Sequence, residues 1–400
     1  MRILMVAPQP FFEPRGTPIS VFQRLHGLSK LGHEVDLITY HVGQSVDIPG
    51  VTIHRAPAIP FIKKVKIGPS PAKIPLDIML VFMTLYMLLR RRYDALHSHE
   101  EAAFWCALFA PLFRVPHIYD MHSSLPKQLQ NFKFGNHPFF IGIFDRLERW
   151  VINTADVVLT IGRDLEETVL EIKPDANHIR IENTAAQNNI SVDPQAAEAL
   201  RQRLGLQDKV AIVYTGTFET YQGLDLLFES VKLLKARADG FTVVMVGGKP
   251  EQVEQQKAEA RRLGIEDVVL FVGTVPLAES LVYLEMADFL VSPRSSGLSV
   301  PLKIYTYLQS GRAIVATRLP AHTLVLTEEI SVLADPEPAA YAEGMHKLVE
   351  DAALRDQISQ AALVFAQEEL SESKYLEKLT LACESVRLSR RIELLQRATE

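Results

Sequence analysis

Residues 292–317, SPRSSGLSVPLKIYTYLQSGRAIVAT, gather the groups most able to hold a phosphate. Ser295, Ser296 and Ser299 offer hydroxyls, and Lys303 offers an ammonium, within one loop and the turn that follows it. Gly297 permits positive φ in the loop. Pro301 suits a first helical turn, and Gly311 stands where a helix ends in a left-handed residue. Small residues feeding a helix N-terminus leave backbone N–H groups free beside the positive end of the helix dipole, which favours an anion. Two histidines are the other reactive candidates. His99 in HSHEE and His122 in YDMHSS each follow a short apolar run, so each falls at a strand C-terminus. Open α/β sheets bind ligands at that edge, and a histidine there can bond a hydroxyl or move a proton. His122 is read as functional; for His99, satisfying a local backbone group is an equal alternative. Asp120 and Glu100 lie close by in sequence, but no HExxH or comparable ligand spacing occurs, so no metal is expected.

Strands and helices must hold these groups in place. RILMVA at Arg2–Ala7 is a buried parallel-strand candidate. The loop PQPFFEPRGTP follows, and then an amphipathic helix in which Thr17 can cap and Pro18 can take the first turn. EVDLIT at Glu34–Thr39 is the next strand. This β–loop–α–β start places Gly16 and Thr17 where a Rossmann-like unit meets its ligand, or they simply start the helix; the G-x-G-x-x-G fingerprint is missing. Strands alternate with helices on both sides of the polar stretch ENTAAQNNISVDP, which implies two parallel α/β domains. The expected division is 1–185 as an N-terminal domain, 186–194 as linker, 195–365 as a C-terminal domain, and 366–400 as a helical tail packing back on the first. Between 57 and 92 the chain is basic and Pro-rich, then very apolar. Lys63, Lys64 and Lys66 interleave with Phe61, Ile62, Val65 and Ile67, and Arg90, Arg91 and Arg92 close the following helix. That mixture suits an anionic bilayer surface, although a helix so apolar is expected to be core.

Composition narrows the function classes. A chain of 400 residues is too long for one comfortable core. Its net charge of −6 disfavours wholesale nucleic-acid binding. Cys106 and Cys383, the only 2 cysteines, rule out a disulfide scaffold and fit a reducing compartment. MRILMVAP enters a strand directly, without a signal-peptide pattern. The expectation is a cytoplasmic protein, peripheral at the inner face of the cell membrane.

The order of pieces resembles the GT-B retaining glycosyltransferases of glycosyltransferase family 4. The matching pieces are the Gly16–Thr17 loop, GHEV at Gly32–Val35, His122, ADVVLT at Ala155–Thr160 and IENT. In the second half they are YTGTFETYQGLDLL, VMVGGKP, LFVGTVP, ADFLVSP and the stretch ending SGRAIVAT. The resemblance implies two facing Rossmann-like domains with a cleft between them. It implies a nucleotide-sugar donor (UDP- or GDP-sugar) held mainly by the C-terminal domain and a glycan or lipid-linked acceptor held mainly by the N-terminal one. It further implies retention of configuration, no cofactor, no obligatory metal, and a setting in polysaccharide or cell-envelope synthesis. By position, His122 would contact the transferred sugar, and Gly16 and Thr17 the donor phosphate or the acceptor. The turn Gly216–Gly223, with Thr217 and Gln222, would approach the diphosphate. Gly247 would line the nucleotide pocket, Val275 would meet the base edge, the loop Ser295–Lys303 would approach the sugar and phosphates, and Thr306 would lie by the ribose. Arg15, His99, Lys63 and Lys64 are acceptor-side candidates.

Departures from the family pattern matter. Its members carry two glutamates eight positions apart, the second five residues before the helix-ending glycine; Leu298 and Thr306 stand there. They also favour Arg and Lys in the turn after the first C-domain strand, where this chain has Thr217 and Gln222. Lys303 and Arg294 are the candidates to restore the positive charge, Lys303 with a catalytic role beside His122; the alternative for both is a solvated side chain. A degenerate GT-B protein that binds a nucleotide or partner without chemistry is the alternative function. An epimerase or phosphorylase lacks its constellation of residues.

Overall fold

The computed structural model describes residues 1–13, 16–60, 62, 65, 73–127, 138–182, 192–297 and 300–399. Arg15, Lys63, Lys64, Ser299 and Leu298 lie outside the described residues, as does most of the expected linker. The chain forms two compact units, Met1–Asn183 with Glu372–Glu400, and Thr184–Ser371.

In the N-terminal unit the strands are β1 (Arg2–Ala7), β2 (Glu34–Thr39), β3 (Val51–Arg55), β4 (Ala95–His99), β5 (His117–Met121), β6 (Val157–Thr160) and β7 (His178–Arg180). They pair in parallel in the order β3-β2-β1-β4-β5-β6-β7. The C-terminal unit has β8 (Val210–Thr215), β9 (Phe241–Val246), β10 (Val269–Gly273), β11 (Phe289–Ser292), β12 (Ala313–Thr317) and β13 (Val332–Ala334). These are ordered β10-β9-β8-β11-β12-β13, again parallel. In each sheet the strand order reverses once, between β1 and β4 and between β8 and β11. At that reversal the loops leaving the two strands diverge and open a crevice at the strand C-termini. Gly16 and Thr17 follow β1, and His99 ends β4. Gly216 and Thr217 follow β8, and Pro293–Gly297 follow β11. The loop after β11, Gly16, Thr17 and His99 therefore fall at switch points, and His122 follows β5, the strand beside β4.

Packing explains why the strands read as apolar runs. β1, β2, β9 and β11 are almost wholly buried, because helices cover both faces of a parallel sheet. The helix Glu372–Thr399 belongs to the N-terminal unit: Tyr375, Leu379, Ala382, Cys383 and Val386 lie in the same buried cluster as Ile3, Met5 and Leu25. The very apolar helix Lys73–Arg90 departs from expectation. Only Leu76, Leu80, Thr84, Met87 and Leu88 are buried. Ile74, Ile78, Phe82, Tyr86 and Leu89 are between 51% and 70% exposed. Neighbours cover one face of this helix and leave the other bare. Among the described residues no helix is long and apolar enough to cross a membrane.

One close approach holds the C-terminal unit's switch point together. Gly247 has φ 123, and a Cβ there would lie 1.9 Å from the carbonyl oxygen of Gly216. The loops after β8 and β9 thus touch backbone to backbone, which only glycine allows. Gly247→Ala is expected to destabilise this unit by about 3 kcal/mol or more, read as lost hydrogen-exchange protection in β8 and β9. A loss below about 1 kcal/mol would mean that the loops part freely.

Candidate active site

In the C-terminal unit the loop after β11 is anchored at its base. His322 is fully buried; its Nδ1 donates to the Thr317 carbonyl at 2.8 Å, and its Nε2 takes the Ser292 hydroxyl at 2.9 Å. Burial lowers its pKa to about 4, so it is a neutral structural pin. The Thr317 hydroxyl donates to the Arg294 carbonyl at 2.7 Å, fixing the start of the loop. Beyond Arg294, Ser295, Ser296 and Gly297 are exposed, and Gly297 has φ 125. The Ser295 N–H donates to the Tyr221 carbonyl at 3.2 Å. A Cβ on Gly223 would strike the Pro293 carbonyl at 2.0 Å. The turn after β8 and the loop after β11 are therefore one assembly.

Lys303 enters this assembly from the helix Leu302–Gln309, which begins one residue after Pro301. Its Nζ lies 4.1 Å from the Tyr214 ring centroid, within cation–π range. The same ammonium donates to the Thr215 carbonyl and to Gln222 Oε1, each at 3.4 Å. Burial, and then the nearby charge of Arg294, lower the Lys303 pKa to about 7. The Arg294 guanidinium stacks 5.1 Å from the Tyr221 ring centroid and donates through Nε to the Ser296 carbonyl at 2.7 Å. Neither cation is the solvated side chain of the alternative reading. Thr217 is exposed, its hydroxyl 3.5 Å from Gln222 Nε2. Gly216, Thr217, Gln222, Gly247, Arg294 to Gly297 and Lys303 thus come together. Gly247 N–H donates to the Gly273 carbonyl, and Thr274 Oγ1 to Gly248, which brings the Val275 loop beside them. Thr306 lies one turn beyond Lys303 on the same helix.

In the N-terminal unit the switch point holds a second cluster. Thr17 does not cap its helix; Gly16 takes that position, with φ 49 and no side chain to cap with. The Thr17 hydroxyl instead donates to Glu100 Oε1 at 2.9 Å, across the β1–β4 reversal. Glu100 has φ 47, a left-handed conformation that costs a residue with a Cβ. Beside it Lys73 donates to Glu101 at 2.8 Å, and the Tyr40 hydroxyl donates to Asp77 at 2.5 Å. Three carboxylates thus surround one ammonium. Burial, reinforced by Glu101, raises both Glu100 and Asp77 to about 7.

Deeper in this unit, His97, His99 and His122 stack around Asp120, with ring centroids 4.8 and 5.1 Å apart. Asp120 is fully buried, and Arg24 donates to it through Nε at 2.7 Å. His97, His99 and Asp120 have metal-ligand chemistry and lie close together. The Arg24 guanidinium is bonded to the same carboxylate and would repel a cation there. Burial lowers His122 to about 4, and His99 lies well below its ordinary value for the same reason. Sequence reasoning missed Arg24, Glu100 as a ligand-edge group, and the Lys73–Asp77–Glu101 cluster. The left-handed Glu100 leaves no trace in residue type, and Arg24 reads as one more polar residue on a helix.

Residues 14–183 match the family described as Glycosyltransferase Family 4, and residues 209–351 match Glycosyl transferases group 1. The chain carries both of these glycosyltransferase domains, and it is a glycosyltransferase. The D-inositol 3-phosphate glycosyltransferase of Acidothermus cellulolyticus is 25% identical over 385 residues, covering 88% of this chain and 81% of that one. The phosphatidyl-myo-inositol mannosyltransferase of Mycobacterium tuberculosis is 22% identical over 376 residues, 89% of each chain. The solved structure of Anabaena HepE in complex with UDP superposes with a TM-score of 0.73 at 16% identity, covering 96% of this chain and 100% of that one. Sucrose-phosphate synthase from Thermosynechococcus elongatus gives a TM-score of 0.70 at 16% identity, covering 98% and 99%. The glycosyltransferase has the GT-B fold, as its sequence order implied.

The raised carboxyls of this glycosyltransferase set a pH dependence. Glu100 and Asp77 titrate higher folded than unfolded, so their stabilising contribution is full at low pH and is lost as pH rises through about 7. Both tryptophans, Trp105 and Trp150, lie in the N-terminal unit and report its unfolding. Their fluorescence Tm should fall between about pH 5 and about pH 8, and Asp77→Asn should shrink that fall. An equal fall in the variant would remove Asp77 from the cause.

Proposed function

We propose that this glycosyltransferase moves a hexose from a UDP- or GDP-sugar to a hydroxyl of a glycan or lipid-linked acceptor, with retention of configuration and without an obligatory metal ion. The observation that carries the reading is the position of Lys303. Family members place their basic pair in the turn after β8, where this chain has Thr217 and Gln222. Lys303 reaches that turn from the opposite side and bonds Gln222 itself. A departing nucleoside diphosphate gains negative charge, and an ammonium at its position stabilises that charge where water is excluded. Arg294 and the hydroxyls of the exposed Ser295 and Ser296 add to it. Bound diphosphate would raise the Lys303 pKa again, so the ammonium would persist through the reaction.

The choice of donor rests on relatives and neighbours. One relative is named GDP-mannose-dependent, and HepE is solved with UDP and with UDP-glucose. Stabilisation by UDP-, GDP- and ADP-sugars in a thermal-shift panel, then donor hydrolysis with and without chelator, tests donor and metal together. Lys303→Ala should lower kcat/KM for the donor at least about tenfold, the loss of one charge-assisted contact. Unchanged kinetics would take Lys303 out of the mechanism. An inverted product anomer by proton NMR would overturn retention.

A membrane-presented acceptor is supported by the bare face of the helix Lys73–Arg90. Ile74, Ile78, Phe82 and Tyr86 stand four residues apart on that face, with Arg90, Arg91 and Arg92 exposed at its end. Leu108 and Leu112 extend it on the helix Ala102–Phe113, which packs alongside. Apolar side chains edged by arginine suit the surface of an anionic bilayer. The protein should float with anionic vesicles at low salt, and Ile78→Ser with Phe82→Ser should reduce flotation at least about tenfold. No flotation of the wild type would sink this reading of the face.

A further inference from the structure

His122, just after β5, is held by more than its own loop. Asp120 is fully buried in the N-terminal unit. Arg24 donates to its Oδ2 through Nε at 2.7 Å and to its Oδ1 through Nη2 at 3.4 Å. His97 Nε2 lies 3.1 Å from Oδ2, and His122 Nε2 lies 3.4 Å from Oδ1. Arg24 is itself fixed on its far side. Its Nη1 donates to the Tyr375 hydroxyl at 3.1 Å, and its Nη2 donates to the Ile181 carbonyl at 3.2 Å. Tyr375 comes from the helix that returns to this unit at the end of the chain.

The hydrogens of this network can be assigned. Burial would raise the Asp120 pKa, but Arg24 and the neighbouring histidines hold it well below the usual carboxylate range. An ionised carboxylate only accepts, so it favours the hydrogen shared by His99 and His122 on whichever of the two nitrogens lies nearer to it. That nitrogen is His122 Nε2, 3.4 Å from Oδ1, against 3.8 Å between His99 Nδ1 and Oδ2. His99 Nδ1, 2.9 Å from that nitrogen, accepts. This leaves His122 Nδ1 with a bare lone pair. Nδ1 is buried and has no hydrogen-bond partner among the described residues. A buried acceptor without a partner costs roughly 1–3 kcal/mol, which makes it a place to look for a ligand donor.

We propose that Asp120 is a positioning residue that fixes the tautomer of His122, so that His122 Nδ1 accepts a hydroxyl hydrogen of the transferred sugar. Arg24, tied to Tyr375 and Ile181, holds the carboxylate in place for this purpose. The inference rests on the reading of His122 as a sugar contact. It goes beyond that reading by assigning the histidine's hydrogen and naming the residue that sets it. An asparagine at 120 would keep its oxygen toward Arg24 and His97. It would turn its N–H toward His122, drive the ring hydrogen to Nδ1 and replace an acceptor with a donor.

The test is nitrogen-15 NMR of the full chain labelled in histidine, with the His122 signals assigned by their loss in His122→Asn. The wild type should show His122 protonated at Nε2 and bare at Nδ1. Protonation at Nδ1 in the wild type overturns the proposal without any need for a variant. Asp120→Asn should move the hydrogen to Nδ1 and lower kcat at least about a hundredfold, with donor KM changed less than about threefold. An unchanged tautomer in Asp120→Asn overturns the role of Asp120. A changed tautomer with unchanged kcat overturns the role in transfer, and unchanged turnover in His122→Ala would show that the reading of His122 itself is what failed.

Discussion

A nucleoside diphosphate cannot leave a sugar without positive charge or hydrogen-bond donors at its oxygens. The turn after β8 supplies no positive charge of its own: Thr217 and Gln222 stand where the family pattern has arginine and lysine, and its one charged residue is Glu219. In the proposed function Lys303 meets that constraint from another element. Its ammonium is carried by the first turn of the helix Leu302–Gln309 and steadied by the Tyr214 ring, the Thr215 carbonyl and Gln222. That position in turn requires the loop after β11 to keep its course, which His322 and Thr317 secure from below. It also requires Gly216 and Gly247 to touch, since a side chain at Gly247 would spread the loops.

The N-terminal unit solves a different problem. A fully buried arginine must be surrounded by acceptors, and Arg24 has Asp120, the Tyr375 hydroxyl and the Ile181 carbonyl. Breaking such a buried pair from one side costs about 3–5 kcal/mol, because a charge is left unpaired. His97 and His99 of β4 and His122 just after β5 gather round the same carboxylate. One set of contacts thereby joins the first helix, the middle strands and the last helix of the unit, and it ends at His122.

Much of the fold was legible because parallel strands covered on both faces are short apolar runs, and RILMVA, EVDLIT, VAIVYT and ADFLVS all read that way. The placement of the candidate residues at strand C-termini followed from the order of those runs. The loop Arg294–Gly297 and Lys303 were legible because small residues before a helix have few other uses. What stayed hidden depended on distant partners. Arg24 meets Asp120 across 96 positions, and Thr17 meets Glu100 across 83, so the former reads as solvated and the latter as a cap. The helix Lys73–Arg90 read as core because apolar density counts residues and cannot say which face a neighbour covers.

The account centres on Lys303 acting as a cation toward the donor, and its titration tests that most directly. In the free enzyme Lys303 loses its proton as pH rises through about 7. Because kcat/KM reports the free enzyme, it should fall through that range when the donor is varied from about pH 6 to about pH 9. The kcat limb should lie at higher pH, since bound diphosphate favours the ammonium. A kcat/KM profile that stays flat across the whole range would contradict the account.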